Sequence, residues 1–467
     1  MWQRGPTPWC NVPVRNQEPI VRPSGGIGRS ASPVPGELLP SEPGSGRGRR
    51  HGTSSSEPFD RWFRYPAGFA SDYVSLLLQG LDLDPGSLVL DPFAGSAVTG
   101  TSARGMGFDF YGIEAHPAIA ELGGLKLRQP AGSVRSLDET VNRLVEAAAK
   151  HADRATPDLS VEADLTRRCF TPSVLAKLVV LRNMIRSGDA GPWALYAKWA
   201  LLGTLRDVAC VRVGWPYQSP SKQRQPRFLD PLARFRQRAA WMSEDIRSLE
   251  KVDNKNVRSI VGHGDARDRN AWTAIQSATG RGCVSSPPYL NNFDYADATR
   301  LEMYFWGEIS SWSQMCSTVR SRMLTATTQQ SSVGAASAAM EYLLRYGEVA
   351  ATIRHLVEQL RDQRESRTRG KEYDRVVPDY FAAMVQVLAN LSEAMAPGAP
   401  VVWLVGDSAP YGIYIDTPAL ISSLAEQVGF AAEKDVILRH RGKRWASNTT
   451  RHGVELSERL ILLRRVD

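Results

Sequence analysis

The chain has 467 residues, enough for one large domain with insertions or for two of ordinary size. Lys and Arg outnumber Asp and Glu by 57 to 49, and a pI of about 9.3 suits a polyanionic partner better than an acidic one. Five scattered cysteines (Cys10, Cys169, Cys210, Cys283, Cys316) form no Cys-x-x-Cys or Cys/His cluster, which argues against a zinc or other metal site and against a disulfide framework. There is no apolar run of about 18 residues and no charged-then-apolar leader, so the expectation is a soluble cytoplasmic protein without a membrane partner.

Residues 1–56 are rich in Pro, Gly, Ser and Arg without apolar periodicity, and read as a disordered basic arm. An amphipathic helix through Tyr73, Val74, Leu77 and Leu78 follows, then a turn at Asp84-Pro85-Gly86. Ser87 to Leu90 reads as a buried strand, a small-residue helix runs to about Gly107, and Phe108 to Ile113 gives a second strand ending at Glu114. This βαβ unit, with its glycines in the first turn, predicts an α/β fold with a doubly wound, Rossmann-like sheet.

Residues 126–256 break the rhythm with helical patterns and form a predicted helical insertion. The sheet resumes at Ser259-Ile260-Val261, passes Gly264-Asp265-Ala266, and continues in the strand Cys283-Val284-Ser285. A second helical insertion is expected over about 295–375, then a helix from Pro378 to Met395, the strand from Pro400 to Val405, and two final strands closing an antiparallel C-terminal edge. The domain scheme is therefore a cofactor-binding part at 57–125, the insertion at 126–256, and a catalytic part at 257–467.

In Asp91-Pro92-Phe93-Ala94-Gly95-Ser96-Ala97 a strand ends on a carboxylate and small residues let the backbone approach a ligand. Glu114, about 23 residues beyond Asp91, stands where an acid accepts hydrogen bonds from ribose hydroxyls in nucleotide-binding folds. Further on, Ser286-Pro287-Pro288-Tyr289 directly follows a buried strand. The prolines lack N–H donors and stiffen the turn, leaving carbonyls and the Ser286 hydroxyl as acceptors, and Tyr289 offers a flat face for a base drawn out of its stack. An exocyclic amino nitrogen is a poor nucleophile, and acceptors on its N–H groups are what its alkylation needs. A turn, or a polyproline ligand, is the other reading of Pro-Pro-Tyr.

Asp91-Pro92-Phe93-Ala94-Gly95-Ser96 with Thr99, together with Ser286-Pro287-Pro288-Tyr289, resembles the motif pair of the N4-cytosine and N6-adenine DNA amino-methyltransferases. The resemblance covers the sheet-forming half of the chain. It implies S-adenosylmethionine as cofactor, held by Asp91, Phe93, Ala94, Gly95, Ser96 and the acid Glu114, with Tyr65 in Arg64-Tyr65-Pro66-Ala67-Gly68-Phe69 over the donor's other side and Asp265 at its adenine. It implies double-stranded DNA as substrate, a catalytic set of Ser286, Pro287, Pro288 and Tyr289, and a restriction or defence system as the setting. The Ser-Pro-Pro-Tyr form leans towards cytosine N4 over adenine N6. Ala97 and Val98 depart from the family's second glycine and first threonine; if position 97 needs positive φ, alanine there costs about 1 kcal/mol.

Arg212 to Arg238 carries seven basic residues against the single acid Asp230, with aromatic residues among them. Lys222, Arg224 and Arg227 are candidate phosphate contacts, Asn291 a candidate base contact, and the insertion at 126–256 a candidate target-recognition element. Arg439 to Trp445, with Arg451 and His452, forms a second basic stretch, and Asp407 and Tyr411 follow a buried strand where a ligand crevice would open. The alternatives are a methyltransferase for RNA or tRNA bases and a non-catalytic DNA-binding relative.

Overall fold

The computed structural model describes residues 56–65, 70–130, 132–154, 157–211, 229–250, 257–290, 294–327, 331–441 and 455–467. The first layer builds from α1 (Ser71–Gly80), β1 (Leu88–Asp91), α2 (Val98–Gly105), β2 (Asp109–Glu114) and α3 (Pro117–Leu127). Both strands are buried at every position, as parallel strands covered on both faces must be. Five helices then intervene: α4 (Val134–Arg154), α5 (Asp164–Cys169), α6 (Pro172–Ser187), α7 (Ala194–Val208) and α8 (Pro231–Glu250).

The sheet continues with β3 (Ser259–His263) and β4 (Gly280–Ser285). Four helices, α9 (Arg300–Trp306), α10 (Trp312–Thr318), α11 (Val333–Leu343) and α12 (Gly347–Glu365), lead to the long α13 (Tyr373–Ala394). The chain ends with β5 (Pro400–Gly406), α14 (Thr417–Glu426), β6 (Phe430–Arg441) and β7 (Leu456–Arg465). Helix α13 begins five residues before the Pro378 expected to open it, so the proline stands inside it. Its early turns are anchored by Asp374, whose carboxylate accepts Arg364 Nε at 2.9 Å.

The seven strands lie in the order β3-β2-β1-β4-β5-β7-β6. Strands β1 to β5 are parallel, whereas β7 runs antiparallel between β5 and β6. The fold is the doubly wound, Rossmann-like α/β sheet with an antiparallel C-terminal edge that the βαβ pattern predicts. Chain order reverses at β1: β2 and β3 extend one way, β4 and β5 the other. A crevice at the carboxyl ends of β1 and β4 is the physical consequence, because the connections there diverge to opposite sides.

Helices α12, α13 and α14 cover one face of the sheet, and α1 and α2 the other. The helices α3 to α8 share a third apolar core that also takes in Phe63, Tyr65, Tyr295, Leu301 and Phe305. That third core reaches the crevice. Among the described residues no helix is long and apolar enough to cross a membrane.

Candidate active site

A cleft enclosing about 840 Å³, part of it open to solvent, sits at the switch point of the sheet. Its walls bring together Tyr65, Asp91, Phe93, Ala94, Gly95, Ser96, Glu114, Asp265, Ser286 and Pro288, which are 223 positions apart in sequence at the extremes, 65 and 288. Tyr295, Met323 and Leu324 complete it.

The loop after β1 is shaped by its own hydrogen bonds. Phe93 N–H donates to Asp91 Oδ1 at 3.0 Å, and Gly95, at φ 51°, donates its N–H to Glu114 Oε2 at 2.8 Å. Glu114 Oε1 accepts His116 N–H at 2.7 Å, so one carboxylate ties the turn after β1 to the turn after β2. The approach is close enough to require Gly112: a Cβ there would lie 2.6 Å from that of Ala94. Ala97, the residue before α2, adopts φ 63° and ψ 39°, so a left-handed conformation that favours glycine is held here by alanine.

Burial sets the electrostatics. It pushes the Glu114 carboxyl up to about 7 and that of Asp91 up to about 6, against the hydrogen bonds that favour their charged forms. The Tyr65 phenol is held well above its usual value by burial, with Glu114 as the next cause. Asp265 accepts Arg267 N–H at 2.9 Å and forms an ion pair with the Arg267 guanidinium at 2.6 Å.

Among its described residues the cleft carries three carboxylates and no Lys or Arg. Such a lining repels phosphates and suits a ligand with positive charge and hydroxyl donors. The Ser96 hydroxyl is buried with no hydrogen-bond partner, which leaves a polar group in the wall for a ligand to satisfy. S-adenosylmethionine, with a sulfonium, an ammonium and a ribose diol, fits both features.

The tetrapeptide after β4 divides. Ser286 and Pro288 face the cleft, and the Ser286 hydroxyl lies 3.5 Å from the Leu404 carbonyl of β5. The Pro288 carbonyl accepts the Tyr380 hydroxyl at 2.8 Å. Tyr289 is buried, and its N–H donates to the Tyr295 hydroxyl at 3.3 Å. Neither Tyr289 nor Pro287 forms part of the cleft wall.

No protein-family profile matches the chain. It is 22% identical over 428 residues to "Type II methyltransferase M.BsoBI" of Geobacillus stearothermophilus, covering 83% of this chain and 82% of that protein. "Type II methyltransferase M.AvaI" of Nostoc sp. (strain PCC 7120 / SAG 25.82 / UTEX 2576) and that of Anabaena variabilis are each 22% identical over 421 residues, covering 82% of both partners. The chain is thus similar to Type II methyltransferases over more than four fifths of its length. Among solved structures, an rRNA methyltransferase, aviRa from Streptomyces viridochromogenes, aligns over 90% of this chain and 88% of its own at 10% identity and a TM-score of 0.27, too distant to carry an argument.

The candidate nucleic-acid contacts Lys222, Arg224, Arg227 and Asn291 lie outside the described residues, as do most of the N-terminal arm (1–55) and residues 442–454 of the second basic stretch. Asp407 and Tyr411, read as crevice residues, do other work. The Asp407 carboxylate accepts the Ser457 N–H and hydroxyl, pinning the start of β7, and the Tyr411 hydroxyl donates to the Lys371 carbonyl at 3.0 Å. Both follow a strand, as read, but neither is part of the cleft wall.

Sequence reasoning missed Arg206, Met323 and Leu324. The first had a signal: a cation inside the apolar stretch from Trp193 to Cys210 must be paired to be buried.

Proposed function

We propose that the protein transfers a methyl group from S-adenosylmethionine to the exocyclic amino group of a base in double-stranded DNA, cytosine N4 in preference to adenine N6. The observation that carries this reading is the convergence of Asp91, Glu114, Asp265 and Ser286 on one cleft at the switch point. The relatives named as Type II methyltransferases support a place in a restriction-modification system.

In this reading the cofactor supplies an electrophilic methyl group. Glu114 accepts the ribose hydroxyls, Asp265 the adenine amino group, and the loop Asp91 to Ser96, with Tyr65, encloses the methionine end. A target base turned out of the duplex enters beside Ser286, whose hydroxyl and neighbouring carbonyls accept the amino protons and favour a pyramidal nitrogen. Pro287 and Pro288 hold that turn rigid, and Tyr289 is the aromatic residue assigned to the base. The nitrogen would form a bond to the methyl carbon as the S–CH3 bond breaks, the sulfur keeping the electron pair and leaving as the neutral thioether S-adenosylhomocysteine, and would give up one proton to solvent. The insertion at 126–256, with Lys222, Arg224 and Arg227, and the loop residue Asn291, would read and grip the duplex.

Calorimetric titration of purified protein with S-adenosylmethionine is the first test, with one site per chain expected. Absence of binding at millimolar donor sinks the enzyme reading. Single-molecule mapping of modified bases in cells with and without the gene then names the base. Modification that persists undiminished in a Ser286→Ala, Tyr289→Ala double variant refutes the catalytic assignment.

A further inference from the structure

Two aromatic residues of the cleft, Tyr65 and Tyr295, come from segments far apart in the chain, and one side chain from a third segment holds both. Arg206, near the end of α7, is mostly buried, with 15% of its side chain exposed. Its Nη1 donates to the carbonyl of Arg64, the residue before Tyr65, at 2.6 Å. Its Nη2 donates at 2.7 Å to the carbonyl of Ala298, in the 3₁₀ turn Ala296–Thr299 that follows Tyr295. Its Nε forms an ion pair with Glu302 of α9 at 2.6 Å, and its guanidinium carbon stands 4.1 Å from the centre of the Phe63 ring.

Three donors of one planar fork are thus committed in three directions, a geometry fixed by the guanidinium itself. The turn Ala296–Thr299 is braced from the sheet side as well, since Thr299 Oγ1 lies 2.6 Å from Nε2 of His116, two residues past Glu114. Tyr65 packs in turn against the β1 loop: a Cβ on Gly95 would be 3.7 Å from its ring.

We infer that Arg206 is a positioning residue that fixes the two tyrosine walls of the cleft relative to each other, so that the helical insertion, besides any part in target recognition, sets the fit of the methyl donor. This rests on the reading of the cleft as the donor site. Arg206 is not part of the cleft wall and acts through Arg64–Tyr65 and Tyr295–Ala298.

The test compares wild type with Arg206→Lys and with the pair Arg206→Met, Glu302→Gln, in which no uncompensated carboxylate is left buried. Donor Kd by calorimetry and KM for donor and for DNA are measured on full-length protein. Lysine keeps the charge opposite Glu302 but cannot reach both carbonyls, so its KM for donor is expected to rise about fivefold, with the double variant at about tenfold or more, while KM for DNA stays within about twofold. A purely structural role would lower kcat through loss of active protein and leave both KM values in place. Arg206→Lys is the deciding variant, because its conserved charge protects the fold. Unchanged donor KM and Kd in folded Arg206→Lys overturn the inference alone, whereas failure of wild type to bind donor overturns the reading of the cleft and the inference with it.

Discussion

The hydroxyl of Ser285, the last residue of β4, donates to Asp91 Oδ1, at the end of β1, over 2.5 Å. The two adjoin across the parallel β1–β4 pair, 194 positions apart. This contact joins the loop after β1 to the turn that carries Ser286-Pro287-Pro288-Tyr289. It also supplies a donor to a carboxylate that burial has pushed up to about 6.

Ser285→Ala leaves that buried carboxylate short of a partner. The expected cost is about 1–3 kcal/mol of stability, seen as a lower urea midpoint at pH 8 with an unchanged m-value. The Asp91 carboxyl should move further up, because the lost bond favoured its ionised form. A midpoint equal to wild type would show that the contact contributes nothing.

Glu114 predicts a pH dependence of donor binding. The donor's ribose hydroxyls need an ionised acceptor, so binding favours the deprotonated carboxyl that burial opposes up to about 7. Affinity should therefore rise with pH, by up to about tenfold per unit below that value, and level off above it. Calorimetry near pH 6 in two buffers of different ionisation enthalpy should show proton release on binding. In the free protein the sign is opposite. Glu114 binds its proton more tightly folded than unfolded, so its contribution to stability is present below the unfolded value of 4.5 and is lost as pH rises through about 7.

Ala97 sets two effects against each other. Its left-handed conformation costs about 1–2 kcal/mol, and Ala97→Gly removes that strain, but the same change gives up a buried methyl group worth about 0.8 kcal/mol and loosens the unfolded chain. The net shift in thermal stability should stay within about 1 kcal/mol. Ala97→Val has no such compensation: a branched side chain at positive φ in a fully buried position should cost more than about 2 kcal/mol.

Asp245 of α8 is a hub for the segment that leads to Tyr65. Its carboxylate accepts Phe59 N–H at 2.8 Å and Trp62 Nε1 at 2.8 Å, and forms an ion pair with Arg61 at 2.5 Å. Asp245→Ala should destabilise by about 3–5 kcal/mol, as removal of one partner of a buried pair does. Hydrogen exchange should show the segment 57–65 opening first. Protection there equal to wild type would contradict the role.

Much of the site could be read along the chain because its parts are local. Asp91 to Ser96 and Glu114 belong to one βαβ unit, and strand-turn-helix-strand order follows from apolar runs broken by small residues. Ser286 to Tyr289 announced itself by composition after a buried strand. Asp407 and Tyr411 looked alike from the sequence, but Ser457 and Lys371, distant in the chain, claim their polar atoms.

By itself, then, the amino-acid order determined the α/β class, the antiparallel C-terminal edge and the two motifs, since these rest on periodicity and short-range turn chemistry. Only the tertiary structure decided which carboxylates share a cleft, that among the described residues its wall carries acids and no Lys or Arg, that alanine at 97 takes the left-handed conformation, and that Arg206 bridges the carbonyls of Arg64 and Ala298. The physical reason is range. Hydrogen bonds such as Ser285 to Asp91 and the burial that raises Glu114 depend on neighbours brought together only when the sheet is assembled, and no local pattern encodes them.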